Sequence, residues 1–412
     1  MQELLGGLLL ASHLMPWAEL PTQVAAHAGR AGFQDAAIYL CDLQEDVLRR
    51  LTGKGFTGGE DAPADEDELQ VAGTMAGRCF QLGRLLPLPH EGPDGVTWWV
   101  PLLDGTERLG VLRVATPVDD EETGEDLKRL AALVALLVVS KRGSSDAHAR
   151  LVRTRKMNVA AEMQWHLLPA TTYADPHVVI SAAVEPAYEI GGDAFDYALA
   201  DDVVHLGIFD AMGHDTSAGI TANLAVAACR NNRRQGHGLV ETTVAIEQTL
   251  LEEFGRLRFV TAILADLSTT TGVFSWVNRG HHPPVVIRGG RWTTGLRCPP
   301  AHPMGTDLGL EPVLCREQLE PGDRIVLYTD GITEARNKDG REFGLDGFMD
   351  FLIRHQADGL PVPETLRRLI RAILGHHDGR LADDATVLVA EWLGPDGMKS
   401  RARDRVGLPF RG

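Results

Sequence analysis

The chain has 412 residues, enough for two or three domains that each bury a hydrophobic core. Its formal net charge is −17, because 57 aspartate and glutamate residues outnumber 40 lysine and arginine residues. This acidic balance argues against general binding of nucleic acids or anionic membranes, since both require a basic surface. The five cysteines are scattered without a C-x-x-C pair, which argues against a disulfide framework or a zinc site. They indicate a reducing compartment, and we expect a cytoplasmic protein.

Neither apolar run of the sequence has the features of a signal peptide or a membrane span. Residues 4–15 are apolar but lack a basic segment before them and a cleavage site after them. Residues 130–139 are too few to cross a bilayer, which takes about 20 residues. We interpret the second run as a buried helix.

Residues 1–142 are predicted to form an α/β domain. Helical patterning opens it, and two strands joined by a turn at Asp104-Gly105 precede its last helix. An acidic, glycine-rich loop over residues 53–68 cannot pack a core and is predicted to be mobile. The predicted helices cover residues 3–29, 71–82 and 124–140, and the predicted strands cover residues 35–40, 47–51, 98–102 and 110–114.

Two strand-like stretches near the end of this domain carry a family signal. They are Val100-Pro101-Leu102-Leu103 and Leu109-Gly110-Val111-Leu112. Together with the helix that follows, they resemble a GAF domain, a small sensory α/β module. The resemblance implies a regulatory role. No histidine or cysteine constellation in this domain indicates a haem or a metal, so no ligand is assigned.

Residues 143–170 are predicted to form a helical connector. Ser144, Ser145 or Asp146 can cap the start of a helix, and Pro169 ends it. Leu151, Val159 and several further apolar residues fall on one helical face. The pattern favours a coiled-coil dimer helix or a single amphipathic linker helix, and it is too short to decide between them. The first alternative predicts a homodimer.

Residues 171–394 are predicted to form an α+β domain, and residues 395–412 a disordered tail. Strands occur in runs separated by blocks of helices, which favours layered α+β over parallel βαβ units. The predicted strands cover residues 177–184, 203–209, 260–267, 273–277, 285–288, 324–328 and 385–392. The predicted helices cover residues 217–233, 239–254, 345–355 and 363–374.

Four aspartates of this domain, each in its own glycine-rich or acidic motif, indicate a metal site. Three of them adjoin a short apolar run that is typical of a strand. Carboxylates gathered at strand ends are the ligands that hard divalent cations prefer. The predicted chemistry is metal-activated water attacking a phosphate. The motifs are Gly191-Gly192-Asp193, Phe209-Asp210-Ala211-Met212-Gly213-His214, Tyr328-Thr329-Asp330-Gly331 and Asp383-Asp384-Ala385-Thr386.

Further motifs lie between these in the chain. They are residues 164–169, Phe259-Val260-Thr261-Ala262, Asn278-Arg279-Gly280-His281-His282-Pro283-Pro284, Pro303-Met304-Gly305 and Pro321-Gly322-Asp323. In their order and number, all these motifs resemble the stage II sporulation protein E-type branch of the PPM (type 2C) protein phosphatases, over residues 163–392. The resemblance implies a β-sandwich flanked by helices, with two Mn²⁺ or Mg²⁺ ions at one end.

The resemblance also implies a role for each aspartate. Asp210 would bridge both metals, and Asp193 would bind one of them, assisted by the backbone carbonyl of Ala211. Asp330 and Asp383 would hold the other metal. Two lower-ranked candidates would support these ligands without binding metal, namely Asp384 and Asp196.

The sequence departs from the family's pattern at several positions. Asp215 stands where glycine is usual, and aspartate tolerates a left-handed backbone. Arg279 replaces a small residue, and Met212 stands where eukaryotic relatives have a histidine. His214 is the candidate proton donor to the leaving serine oxygen, with a simple turn residue as the alternative. No arginine can be assigned from the sequence as the phosphate anchor.

Other signals favour structural roles. His281-His282 directly precede two prolines, which favours turn residues over metal ligands. Thr261 is expected only to begin a strand. Residues 53–58 match G-x-G-x-x-G, but an acidic loop follows in place of a helix, so a nucleotide site is not expected.

These features predict a metal-dependent phosphatase for phosphoserine or phosphothreonine on a protein, regulated by the N-terminal domain. The family implies a substrate such as a phosphorylated anti-anti-sigma factor in bacterial partner switching. A pseudophosphatase scaffold that binds a phosphoprotein without turnover is the alternative, and the four intact aspartates speak against it. A phosphodiesterase for a signalling nucleotide shares the metal chemistry but lacks the expected His-Asp pattern.

Overall fold

The computed structural model contains two compact units, one holding residues 1–156 and the other beginning at Met157. In the described part of the chain, no helix is long and apolar enough to span a membrane. Most of the predicted loop over residues 53–68, the G-x-G-x-x-G match and most of the predicted tail lie outside the described residues. The structure describes residues 1–53, 67–89, 95–189, 191–289, 291–293, 295–336, 340, 342–357, 361–376, 381 and 383–397.

The first unit is an antiparallel sheet with helices on both faces. Its strands are β1 (Gln34–Cys41), β2 (Val47–Arg50), β3 (Glu68–Gln70), β4 (Leu86–Pro89), β5 (Val96–Asp104) and β6 (Glu107–Thr116). They lie in the order β3-β2-β1-β6-β5-β4. Its helices are α1 (Gln2–Ser12), α2 (Leu20–Arg30), α3 (Met75–Leu82), α4 (Glu121–Arg142) and α5 (Asp146–Val152).

Side-chain alternation along β1 explains why both faces of this sheet are covered. Ile38 and Leu40 pack into a core shared with α1, α2, α4 and α5. Tyr39 and Cys41 point to the other face and pack with α3. The predicted α/β domain is therefore present, whereas its assignment as a GAF domain stays a prediction.

The connector differs from the single helix that the sequence favoured. It holds two helices, α5 in the first unit and α6 (Val159–Leu167) in the second. The backbone is extended at Arg153, just after α5. Asn158 then starts α6, because its side chain accepts a hydrogen bond from the Ala161 N–H at 2.7 Å.

The second unit is a sandwich of two antiparallel sheets. In spatial order the first sheet contains β15 (Cys315–Gln318), β12 (Val273–Arg279), β11 (Val260–Ser268), β10 (Val203–Ala211) and β9 (Asp193–Ala200). The second contains β14 (Arg291–Thr293), β13 (Val285–Arg288), β16 (Arg324–Tyr328), β17 (Ala385–Trp392), β8 (Val178–Glu185) and β7 (Thr172–Ala174). Apolar side chains of both sheets, such as Ile208, Ile263 and Leu388, form the core between them.

Helices cover the outer faces of this sandwich. On the first sheet, α7 (Thr216–Arg234) and α8 (Leu239–Phe254) share a core with Phe209 and Leu264, the alternate side chains of β10 and β11. On the second sheet lie α9 (Asp330–Thr333), α10 (Gly344–Ala357) and α11 (Val362–His376). The layered α+β class and the helix-flanked β-sandwich predicted from the sequence are confirmed.

One disulfide contradicts the expectation drawn from the cysteines. Cys298 is bonded to Cys315, and the other three cysteines are free and buried. Cys315 lies in β15, which the sequence did not predict and which pairs with β12. Cys298 lies outside the strands and meets Cys315 only in the folded chain, so their spacing along the sequence gave no signal.

Candidate metal centre

Asp210 continues a row of core side chains to the end of β10. Leu206 and Ile208 point into the sandwich core, and because side chains alternate along a strand, Asp210 lies on the same face. Asp193 on β9 and Thr261 on β11 are its direct cross-strand neighbours. Three polar side chains therefore stand side by side at one end of the core.

Further aspartates come from the facing sheet. Asp330 opens α9 two residues after the end of β16. Asp383 and Asp384 immediately precede β17, which pairs with β16. Gly331 brings the two segments into contact, since a Cβ there would lie 1.9 Å from the backbone oxygen of Asp384. The carboxylates of both segments therefore share one end of the second sheet.

Side-chain hydrogen bonds join the two sheets at this end. The Thr329 hydroxyl donates to Oδ2 of Asp193 at 2.6 Å and accepts the Thr386 N–H at 2.9 Å. The Oδ2 of Asp384 accepts the N–H groups of Gly191, Gly192 and Asp193 at 2.8, 2.7 and 3.3 Å. Asp384 therefore anchors the glycine motif, and its supporting role for bound metals stays a prediction.

The two glycines before Asp193 allow a close backbone approach. A Cβ at Gly191 would lie 2.4 Å from the carbonyl carbon of His214. A Cβ at Gly192 would lie 2.4 Å from the oxygen of Ala211. Any side chain at either position would push the glycine motif away from the loop that follows Asp210.

Burial and mutual repulsion raise the pKa values of these carboxyl groups. The pKa of Asp210 rises from 3.8 to about 7, first through burial and then through the charges of Asp330, Asp383 and Asp384. Burial, followed by the charge of Asp210, raises the pKa of Asp193 well above its ordinary value. Burial also raises the pKa of Asp384, although three backbone N–H groups oppose the shift. Such shifts reveal a local excess of negative charge.

The donor set fits a hard divalent cation. Every donor is an oxygen, and a cation would relieve the repulsion among the carboxylates. Within the described ranges, no group of three or more His, Cys, Asp or Glu side chains already has the geometry to hold a metal. Ligation therefore requires the carboxylates to turn towards a common point. Asp383 is exposed and Asp330 half-buried, so both have room to move.

The turn between β10 and α7 holds the candidate proton donor. His214 is exposed, and its side chain has no hydrogen-bond partner among the residues that the structure describes. Asp215 is not left-handed, because its φ is −99°. It instead caps α7 by accepting the Ala218 N–H at 2.9 Å, and Gly213 carries the positive φ of 90°. The role of His214 stays a prediction.

Asp196 does not join the other carboxylates, which corrects its ranking beside Asp384. It follows Asp193 by three residues, so the alternation along β9 turns it to the opposite face. There it forms ion pairs with Arg230 and Arg233 of α7 at 2.7 and 2.9 Å. Asp196 therefore fastens α7 to the sheet.

Thr261 and His281 have contacts that the sequence reading missed. The Thr261 hydroxyl lies 2.7 Å from Nδ1 of His281, and Thr261 is the direct cross-strand neighbour of Asp210. The Nε2 of His281 lies 3.0 Å from the Tyr328 carbonyl, which can only accept, so Nε2 carries the proton. Burial, followed by His282, lowers the pKa of His281 to about 3. A neutral imidazole thus contacts Thr261, the neighbour of Asp210. The sequence had predicted only a turn residue at His281, because two prolines follow His282.

Comparisons with known proteins find a family model and two similar proteins. Residues 200–393 match the family model described as Stage II sporulation protein E (SpoIIE). Protein IcfG of Synechocystis sp. is 22% identical over 271 residues, covering 58% of this chain and 42% of IcfG. Phosphoserine phosphatase RsbU of Bacillus subtilis is 21% identical over 234 residues, covering 57% of this chain and 69% of RsbU. This chain thus spans less than half of IcfG.

A solved structure shows a further likeness. The RsbU and RsbW domains of Rv1364c from Mycobacterium tuberculosis give a TM-score of 0.48 at 24% identity, over 53% of this chain and 62% of that chain. The family match covers the motifs from Phe209 onwards, whereas residues 164–169 and Gly191-Gly192-Asp193 lie before it. The family model thus supports, for residues 200–393, the resemblance to the SpoIIE-type branch of the PPM (type 2C) phosphatases that the motifs indicate.

Proposed function

We propose that the second unit is a metal-dependent phosphatase acting on phosphoserine or phosphothreonine in a protein substrate. The similarity to a phosphoserine phosphatase supports the reaction. The family resemblance supports a phosphorylated anti-anti-sigma-like protein of bacterial partner switching as the substrate. A cytoplasmic location is part of the proposal; three buried free cysteines fit it and the Cys298–Cys315 disulfide does not.

One observation carries this proposal. Carboxylates from four separate chain segments and two different sheets lie close enough that three of them raise the pKa of Asp210. Such a cluster of like charges, with Asp193 and Asp384 buried, is costly to fold unless it serves a ligand. Asp193, Asp210, Asp330 and Asp383, with the Ala211 carbonyl, would hold two Mn²⁺ or Mg²⁺ ions.

The protein's own groups would position these ligands. When bound, two divalent cations would lower the pKa of a water molecule and neutralise charge on the phosphate. Thr329 holds Asp193 through its hydroxyl, and Thr261 is the cross-strand neighbour of Asp210. Asp384 fixes the glycine motif through three backbone N–H groups. His214, exposed beside the site, is the proposed proton donor to the leaving oxygen.

The test is phosphate release from phosphopeptides and phosphoproteins with Mn²⁺, with Mg²⁺ and with a chelator. We expect release that requires metal and that falls more than about 100-fold in Asp210→Asn, because a lost ligand costs more than a lost supporting contact. The control is Asp202→Asn, in the turn at the other end of the β9–β10 hairpin. Binding of a phosphoprotein without any release would favour the scaffold function.

We further propose that the N-terminal unit is a GAF-like sensor that regulates this site, with a homodimer formed through it and the connector. The regulatory signal would reach the metal centre through α6. The buried Gln164 of this helix donates from Nε2 to the Gly191 carbonyl at 3.1 Å. A shift of α6 would therefore move the glycine motif. The test compares the activity and oligomeric state of the full chain with those of a variant lacking residues 1–140. Equal values in both would contradict the regulatory role.

A further inference from the structure

We propose that Arg258 binds the phosphate group of the substrate at the edge of the metal centre, an inference that rests on the proposed phosphatase function. Arg258 lies two residues before β11, at the end of the sheet that carries Asp210. Val260, the first residue of β11, pairs directly with Ala211. Arg258 therefore stands beside the loop that follows Asp210.

The guanidinium lies against this loop and remains partly open to solvent. Its Nη1 donates to the Met212 carbonyl at 3.2 Å. The Arg258 side chain keeps 24% of its surface exposed. A guanidinium has five N–H donors, so most of them are left for a ligand.

The positive charge of Arg258 is only weakly balanced. Its ion-pair partner is Asp215, whose Oδ2 lies 3.7 Å from Nη2, beyond hydrogen-bond distance. Asp215 is itself 60% exposed, and its Oδ1 accepts the Ala218 N–H at the start of α7. A contact of this kind between exposed groups is weak, so an anion can compete for the guanidinium.

Backbone contacts fix the position from which this side chain extends. A Cβ at Gly305 would lie 2.4 Å from the Arg258 carbonyl oxygen, so the two segments pack without space between them. The Phe259 carbonyl accepts the Met212 N–H at 3.1 Å, which ties the strand start to the same loop. The backbone is therefore fixed before any ligand arrives, and the contact with the Met212 carbonyl restricts the guanidinium, which lowers the entropy cost of binding.

Three other arginines of the second unit already have ion-pair partners. Arg230 and Arg233 pair with the buried Asp196, and Arg279 is fully buried against Glu247. A phosphate monoester carries close to two negative charges, and the planar fork of arginine matches two of its oxygens. Arg258 combines this chemistry with access to solvent beside the loop that follows Asp210.

The competing explanation is structural. Arg258 would then only hold the loop that follows Asp210, through the Met212 carbonyl. Loss of the side chain would disturb the metal ligands and leave phosphate affinity unchanged once metal is saturating. The phosphate-binding role therefore predicts weaker binding of phosphate, whereas the structural role predicts weaker binding of metal.

The experiment compares the full chain with Arg258→Ala, Arg258→Lys and the control Arg256→Ala. Arg256 lies two residues away, is 67% exposed and pairs with Asp307. The readouts are kcat and KM for p-nitrophenyl phosphate, the activating Mg²⁺ concentration, the melting temperature, and calorimetric binding of inorganic phosphate to Mg²⁺-loaded protein. Calorimetry decides the question even if the wild type releases no phosphate, a result that would overturn only the proposed function.

We expect Arg258→Ala to weaken phosphate binding and lower kcat/KM about 10- to 100-fold, as for loss of hydrogen bonds to a charged group. The activating Mg²⁺ concentration should stay unchanged. Arg258→Lys should recover part of the loss because it keeps the charge, and Arg256→Ala should match the wild type. Unchanged phosphate binding in Arg258→Ala would overturn the proposal, as would a loss explained by weaker Mg²⁺ binding alone.

Discussion

The hydroxyl of Thr329 donates a 2.6 Å hydrogen bond to the carboxylate of Asp193, which lies in the opposite sheet of the sandwich. Thr329 is completely buried and directly precedes Asp330. One side chain therefore connects two candidate metal ligands from different sheets. The geometry of the centre depends on the sandwich as a whole.

Replacing Thr329 with valine should weaken metal binding. Valine has nearly the same shape, but the substitution leaves Oδ2 of Asp193 and the Thr386 N–H without their partner. We expect about 10- to 100-fold weaker Mn²⁺ binding, the usual effect of losing a group that orients a ligand. Mn²⁺ titration calorimetry measures this effect. Thr329→Ser keeps the hydroxyl and should bind Mn²⁺ nearly normally; equal affinity in the valine variant would show that the hydroxyl does not position Asp193.

Adding a methyl group at Gly192 should destabilise the second unit. The new Cβ would lie 2.4 Å from the Ala211 oxygen and 2.6 Å from the Gly213 oxygen, so the backbone would have to shift. We expect a loss of about 2 kcal/mol or more in the free energy of unfolding. Urea denaturation of the metal-free protein measures it.

The matched control is Gly347→Ala in α10, where a Cβ meets nothing within 4 Å. Alanine in a helix should stabilise by about 0.5–1 kcal/mol, because glycine loses more conformational freedom on folding. If both variants unfold alike, the close approach at Gly192 has no energetic importance.

The stability of the metal-free protein should fall as the pH rises towards neutrality. Folding raises the pKa of Asp210 from 3.8 to about 7, so the folded state binds more protons than the unfolded chain between these values. This stabilisation is fully present below the unfolded pKa and is lost as the pH passes through the folded pKa. The pKa shift of Asp210 therefore changes the free energy of unfolding by on the order of 4 kcal/mol, because one pKa unit corresponds to about 1.4 kcal/mol.

Urea denaturation with a chelator, from about pH 5 to about pH 8, tests this dependence. Asp210→Asn removes the titrating group and should lose less stability over the same range. Saturating Mg²⁺ should also reduce the loss, because a cation favours the charged carboxylate. A wild type and an Asp210→Asn variant with the same pH dependence would show that Asp210 is not the group responsible.

Strands with strong local signals could be predicted from the sequence. β16 and β17 have the bounds that their short apolar runs indicated, because these runs are limited by turn residues. β9 was missed because its two aspartates lower its strand propensity, while pairing with β10 decides its structure. β15 is a polar edge strand whose pairing with β12 the local sequence does not reveal.

The aspartates of the centre were found from their motifs, whereas their supporting contacts were not. Thr329, His281 and Arg258 each contact a partner that is distant in the chain, and nothing in their local sequence identifies that partner. The supporting role predicted for Asp196 was wrong because it relied on closeness in sequence. It stands close to Asp193 in sequence, but strand alternation separates the two side chains.

The central claim is that Asp210 lies between two divalent cations. Anomalous diffraction at the manganese edge, from crystals of the full chain grown with Mn²⁺, tests it most directly. We predict two peaks about 3.5–4 Å apart, with Asp210 between them, Asp193 on one side and Asp330 and Asp383 on the other. Manganese absent from this end of the sandwich, or a single ion that does not contact Asp210, would contradict the account.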